Sequence, residues 1–323
     1  MSRDLVVALS GGVGGAKLAL GLSRIVPADK LVVVANVGDD FDHLGLRISP
    51  DVDTLMYTLA GLDNTKLGWG RRDETWSFME TLTALGGEDW FRLGDRDLAV
   101  HVERTCRLRR GETLSAITAD FCRRLGVGPR VLPATDDRLR TRLRTDEGWL
   151  DFQEYFVRLQ CRPVVRELAF EGAEDARPHP DLIAALCDKR LRAVIICPSN
   201  PFISVEPILA APGTRQALSA CAAPVVAVSP IISGRAIKGP TAKMMAELGM
   251  TPSAAAVAKR YGDLLAGYVM DTTDGQEAAH VAPRVTLAPT LMTNLARREQ
   301  LARVVLEAAD ALSSSKRGRD LVA

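Results

Sequence analysis

The chain has 323 residues, 41 basic and 40 acidic side chains, and a net charge of +1, so it lacks the basic excess of a nucleic-acid scaffold. Hydrophobic residues make up 47% and charged residues 25%, the balance of an ordinary soluble globular protein with one large core or two modest ones. Six scattered cysteines show no C-x-x-C and no zinc-type spacing with histidine, which suits thiols in a reducing cytosol.

The apolar run Leu5–Leu9 is too short for a signal peptide or a membrane span, so the cytoplasm is the expected location. DLVVALS predicts a buried strand, GGVGG a turn, AKLALGLSRIV a helix and KLVVVANV a second strand. Continuous β-branched runs separated by a helix indicate parallel strands covered on both faces. TLMYTLAGL predicts a helix after the acidic segment, and residues 97–125 read as helical, with Leu98, Val102, Cys106, Thr113, Ile117 and Phe121 turned inward. A hairpin is expected around Asp146-Glu147-Gly148, followed by RELAFEGAEDARPHPD as an irregular connection.

Doubly wound character returns with LRAVIIC, PVVAVS, GYVMD and RVTLAP as strands and VEPILAAPGTRQALSA and TAKMMAELG as helical stretches. A closing helix, LARREQLARVVLEAADAL, precedes a tail, SSSKRGRDLVA, expected to fray. The fold class is therefore α/β: a Rossmann-like doubly wound, mostly parallel sheet with a mixed α/β insertion. Residues 1–62 and 185–323, with approximate bounds, are assigned to the core and 63–184 to the insertion, with one compact domain as the alternative.

Gly11-Gly12-Val13-Gly14-Gly15, with Lys17, lies between strand and helix, where backbone N–H groups can meet a phosphate. It is neither G-x-G-x-x-G, since Lys17 stands where the last glycine would, nor a P-loop, since Lys17 is followed by leucine. A tight β–α turn and a phosphate loop of another kind both fit it. Asp39 and Asp40 follow the second strand, at the sheet edge where ligands of parallel sheets bind. Adjacent carboxylates there would repel a phosphate unless a hard cation such as Mg²⁺ lies between. A solvated turn is the simpler alternative.

Asp51 and Asp53 fall in the first turn of the next helix, after Pro50, which ordinary capping explains for Asp51. Asp42 acquires no task. Arg92, Arg235 and Lys238 are loop cations able to complete a phosphate cradle, or simply solvated. Ser199 and Asn200 open a loop that either reads a ligand or forms an Asx-type turn. The histidines show no ligand spacing, and nothing supports a covalent nucleophile.

The stretches LSGGVGGAKLALGL, NVGDDF, PDVDTLMYTLAG, WFRLGDRD, LPATDD, FQEYFV, PSNPFISVEPIL and SPIISGRAIKGP, from residue 9 to about 240, resemble the 2-phospho-L-lactate transferase family of coenzyme F420 biosynthesis (CofD/FbiA). The resemblance implies a Mg²⁺-dependent transfer of a phosphorylated three-carbon acid (2-phospholactyl, enolpyruvyl phosphate or 3-phosphoglyceryl) from a guanosine diphosphate-linked donor to the ribityl hydroxyl of the deazaflavin Fo, releasing GMP. It matches Asp53 and Arg92 to Fo-contacting positions and makes a homodimer expected, with no nucleic-acid or membrane partner. Phosphoryl chemistry then suggests Mg²⁺ held by Asp39 or Asp40 with Asp53, and phosphate held by Gly12, Gly14, Gly15 and Lys17, with Arg235 and Lys238 in reserve. Asp53 would serve as metal ligand or as acceptor of the hydroxyl proton. A rival resemblance, to UDP-sugar-binding regulators of the YvcK type, shares the glycine-rich start and the aspartate loop.

Overall fold

A computed structural model describes residues 3–320, with side chains described through residue 314. Its centre is a seven-stranded sheet, every pairing parallel. In chain order the central strands are β1 (Leu5–Ser10), β2 (Leu31–Ala35), β3 (Arg130–Pro133), β4 (Leu191–Ile196), β5 (Val225–Val228), β6 (Gly267–Met270) and β7 (Arg284–Leu287). They lie in the order β7-β6-β5-β4-β1-β2-β3. Chain direction across the sheet reverses beside β1, which pairs with β2 on one side and β4 on the other. Every residue of β1 and β2 is buried, as strands covered on both faces require.

Helix α1 (Gly12–Ile25) crosses from β1 to β2 and packs against α2 (Pro50–Leu59) and the closing helix α5 (Leu295–Asp320). Gly21 permits the α5 contact: a Cβ there would come 2.6 Å from the Arg298 carbonyl carbon. The expected frayed tail is drawn into α5 as far as Asp320, and residues 321–323 lie outside those described.

Several elements differ from expectation. The continuous helix over 97–125 is two, α3 (Asp95–Arg109) and α4 (Leu114–Arg124), divided where Gly111 takes a φ of 88°. The break changes the inward face, leaving Val102 43% exposed while Ile117 and Phe121 are buried. The hairpin around Asp146-Glu147-Gly148 forms, but RELAFE is not irregular: Val165–Glu171 joins it as a third antiparallel strand against Arg140–Thr145. Ion pairs Arg144–Glu167 and Arg142–Glu171 line its solvent face. Strand β3, from within the stretch 63–184, pairs with β2 as the edge of the central sheet.

Between β2 and α2 the chain makes a small antiparallel hairpin, Phe41–His43 with Leu46–Ile48, turning through Leu44 and Gly45 at positive φ. That turn brings Ser49 back to Asp40 and sets the start of α2 beside the end of β2.

Candidate active site

The carboxyl ends of β1 and β4 part where the sheet reverses direction, the place where open α/β sheets bind ligands. A cleft of about 670 Å³ opens there. Its lining includes Gly12, Gly14, Lys17, Asp39 and Asp51, and also the aromatic Trp69, Trp90, Phe91, Phe152 and Phe156. The two sets suit a phosphorylated group and a flat ring system respectively.

In the first set, the glycines serve the backbone first. Gly12 has a φ of 65°, and its N–H donates to Asp51 Oδ1 at 2.7 Å. A Cβ on Gly14 would sit 2.5 Å from the Pro198 carbonyl oxygen, so this glycine lets α1 close against the loop after β4. Gly15, expected at the phosphate, does not line the cleft; it is buried against Ser10 and Ser199, where a side chain has no room. The Ser199 hydroxyl locks the same junction, accepting from the Gly11 N–H at 3.1 Å and donating to its carbonyl at 2.8 Å. Asn200 faces the cleft, but its Oδ1 accepts from the Phe202 N–H at 2.9 Å, the Asx turn left open from sequence.

The acidic residues divide sharply. Asp39 lines the cleft with its Oδ1 buried and without a hydrogen-bond partner. Burial, and then the neighbouring Asp51, hold its carboxyl well above the usual range. Asp51 also lines the cleft, and Asn36 Nδ2 donates to its Oδ2 at 2.8 Å. Burial pushes it up to about 6 against the bonds from Asn36 and Gly12. Two close carboxylates, buried and unneutralised beside a phosphate-sized space, are the donor set a hard divalent cation takes.

Asp40 stands one layer back, beside a separate cavity of about 40 Å³ that Arg47 also lines. Its Oδ2 accepts from Ser49 at 2.7 Å, and burial pushes it up to about 7.

Asp53, expected at the metal, is directed elsewhere. It does not line the cleft; its carboxylate makes a two-pronged pair with the fully buried Arg104 of α3, one arm at 3.0 Å. His101 lies between Asp53 at 3.7 Å and Asp97 at 3.3 Å, and the Tyr57 hydroxyl donates to Asp97 at 2.6 Å. Asp53, Asp97 and His101 alone resemble a metal cluster. The Arg104 guanidinium, however, already supplies the positive charge, which explains the geometry without an ion. Sequence inspection missed Arg104 and His101 because they come 51 and 48 residues after Asp53.

Among the basic candidates, Lys17, Arg92 and Lys238 line the cleft. The Arg92 guanidinium lies 4.4 Å from the centre of the Trp76 ring. Arg235 does not reach the cleft, being exposed in a short strand that pairs with Ile231–Ile232. Asp42 forms ion pairs with Arg140 and, at 3.8 Å, with Arg47. The strip Trp90–Arg92 rests on a satellite aromatic cluster, with Phe41 and Phe91 edge-to-face at 4.8 Å.

Comparison with known proteins agrees with this architecture. The family described as 2-phospho-L-lactate transferase CofD matches residues 6–308. A phosphoenolpyruvate transferase of Kitasatospora aureofaciens is 42% identical, covering 94% of this chain and 98% of the relative. One of the same description from Mycobacterium tuberculosis is 41% identical over 90% of this chain and 94% of its own length. A crystal structure of a UPF0052 family protein from Bacillus halodurans shares the fold with a TM-score of 0.63 at 14% identity, covering 95% of this chain and 99% of that one.

Proposed function

This chain belongs to the 2-phospho-L-lactate transferase CofD family and is a transferase, and from that premise we propose the reaction it performs. It transfers enolpyruvyl phosphate from a guanosine diphosphate-linked donor to the ribityl hydroxyl of the deazaflavin Fo, in coenzyme F420 biosynthesis. Enolpyruvyl is preferred over the lactyl and glyceryl alternatives because the similar relatives are described as phosphoenolpyruvate transferases. The observation that carries the reading is the pairing of Asp39 and Asp51 beside the glycine turn, in one cleft with a set of aromatic side chains.

The tricyclic ring of Fo stacks on the aromatic side chains, steadied by Arg92. Lys17 and the N–H groups at the start of α1 face the donor phosphates, while the Gly12 bond holds Asp51 in place. The ribityl oxygen attacks the phosphorus that bears the three-carbon acid. A new P–O bond forms, the bond to GMP breaks with its electron pair leaving on GMP, and the hydroxyl proton is released to solvent. Asp39 and Asp51 would hold Mg²⁺, which when bound neutralises charge on the diphosphate oxygens. Asp40 and Asp53 stand behind these groups and do not touch substrate. A cytoplasmic homodimer belongs to the same reading.

The test is mass spectrometry of the product after incubation with Fo, Mg²⁺ and each guanylylated donor separately. The enolpyruvyl phosphodiester of Fo is expected to dominate. No deazaflavin phosphodiester from any donor, with thermal stabilisation by UDP-sugars alone, would replace the transferase with a nucleotide-sugar regulator.

A further inference from the structure

After the small hairpin the chain winds through a wide turn, Glu154–Arg158, and lays one face of it along the cleft. The Leu159 N–H donates to the Glu154 carbonyl at 2.9 Å, a five-residue step, and Phe152, Gln153, Phe156, Val157 and Gln160 all reach the lining. The other face is anchored. Tyr155 is fully buried, with the Lys243 ammonium 3.4 Å from its hydroxyl and paired to Glu247. Gln160 and Cys161 end the turn at positive φ, 51° and 57°, a backbone state that such residues hold only where their surroundings fix it.

Gln153 stands out in this segment. It is only 5% exposed, yet it lines the cleft. Its carboxamide makes no hydrogen bond among the described residues, not even as a cap on the turn it precedes. A buried amide without partners is costly, so in the free protein it draws on cleft water, and a ligand that displaces that water must replace its bonds. A carboxamide presents an acceptor and a donor side by side. Phosphate and carboxylate groups offer acceptors alone and would set oxygen against oxygen. A lactam edge, with N–H beside C=O, satisfies both atoms at once, much as base edges satisfy Asn and Gln. Beside Gln153, the Phe152 and Phe156 rings stack at 5.3 Å and 12°, an apolar flank for a planar ring.

We infer that Gln153 reads the lactam edge of a planar ring seated beside Phe152 and Phe156, and so helps to set which ring the cleft accepts. The inference rests on the acceptor proposed above: that edge is the imide N–H and flanking carbonyl of the Fo pyrimidinedione. Guanine in the donor carries the same chemical group, and the test separates the two.

The full-length protein is titrated calorimetrically with Fo, with Fo methylated at the imide nitrogen, and with GDP. Wild-type protein should bind Fo about tenfold or more tighter than the methylated form. Gln153→Met keeps the length without polar atoms; it should weaken Fo by a similar factor, bind both forms alike and leave GDP unchanged. A role in folding alone would not erase the preference between the two forms. Unchanged Fo affinity overturns the inference, with loss of GDP alone assigning the amide to guanine instead. An equal loss for Fo and GDP overturns it too, as does failure of wild-type protein to bind Fo. Should Gln153→Met melt before titration, Gln153→Glu decides, since it keeps the shape and loses the amide donor: a severalfold loss for Fo supports the inference and no change overturns it. If Fo binding depends on Gln153 while no donor yields an Fo product, the ring reading stands and the proposed reaction falls.

Discussion

Asp51 and Asp53 are neighbours on α2 with opposite fates. They are almost equally buried, at 5% and 4% exposure. Two residues turn a helix by about 200°, so their side chains leave on opposite sides. Asp51 turns to the cleft, beside Asp39, in a group whose negative charge the protein leaves unbalanced. Asp53 turns to α3, where Arg104 neutralises it and His101, Asp97 and Tyr57 complete the network. Burial therefore does not identify the working acid. The distinguishing feature is whether the protein supplies the counter-charge or leaves it to a ligand.

The largest effect should come from breaking the balanced cluster. Arg104→Met strands Asp53 and should cost about 3–5 kcal/mol of stability, read from denaturant unfolding. Combining it with Asp53→Asn should cost less than the sum of the two single changes. A loss below about 1 kcal/mol for Arg104→Met would mean that the pair does not hold α2 to α3.

The unbalanced cluster should behave in the reverse way. Asp39→Asn removes a carboxylate with an unpartnered Oδ1, so stability should shift by less than about 1 kcal/mol. Turnover should fall by about 10²-fold or more, or about 2.7 kcal/mol of barrier. Near-normal turnover in steady-state assays at saturating Mg²⁺ would remove Asp39 from the chemistry.

A pH series sharpens the contrast without mutation. Asp51 and Asp40 titrate at about 6 and about 7 in the folded protein, above the ordinary value of 3.8. The folded state thus keeps protons that the unfolded chain has released. Stability without divalent cation should therefore fall as pH rises from about 4 to about 7, by several kcal/mol. Added Mg²⁺ should restore the share of Asp51 above pH 7 and leave that of Asp40 lost, and thermal melts across that range decide the matter. A flat or rising profile would contradict the uncompensated burial of these acids.

The smallest effect belongs to the aromatic set. Arg92→Lys keeps the charge but loses the flat contact with Trp76, worth about 0.5–1 kcal/mol. The KM for Fo should rise a few-fold with kcat nearly unchanged. An equal fall in kcat would assign Arg92 to the transferring phosphate instead.

The convergence at the sheet edge was readable from particular residues. The glycine run after β1, Asp39 after β2 and Ser199 after β4 all follow parallel strands, so topology alone gathers them. The exchange of roles between Asp51 and Asp53 was not readable, because either could face the ligand until α3 supplied Arg104. Gly15 was misassigned for a related reason: a glycine that admits a ligand and one that admits Ser199 look identical in a string. The strand Val165–Glu171 escaped notice because its partner is the distant hairpin strand Arg140–Thr145, and three of its own seven residues are charged.

The sequence by itself determined most of the elements, the parallel pairing implied by β-branched runs, and the kinds of group brought to the cleft, because these depend on local propensity and short connections. Tertiary structure decided which carboxylates are neutralised and which are not, and it brought Arg104 from a remote helix to Asp53 behind the site. That division has a physical cause. Charge compensation acts through space over a few ångströms, and the Arg104 that provides it for Asp53 lies 51 positions away along the chain.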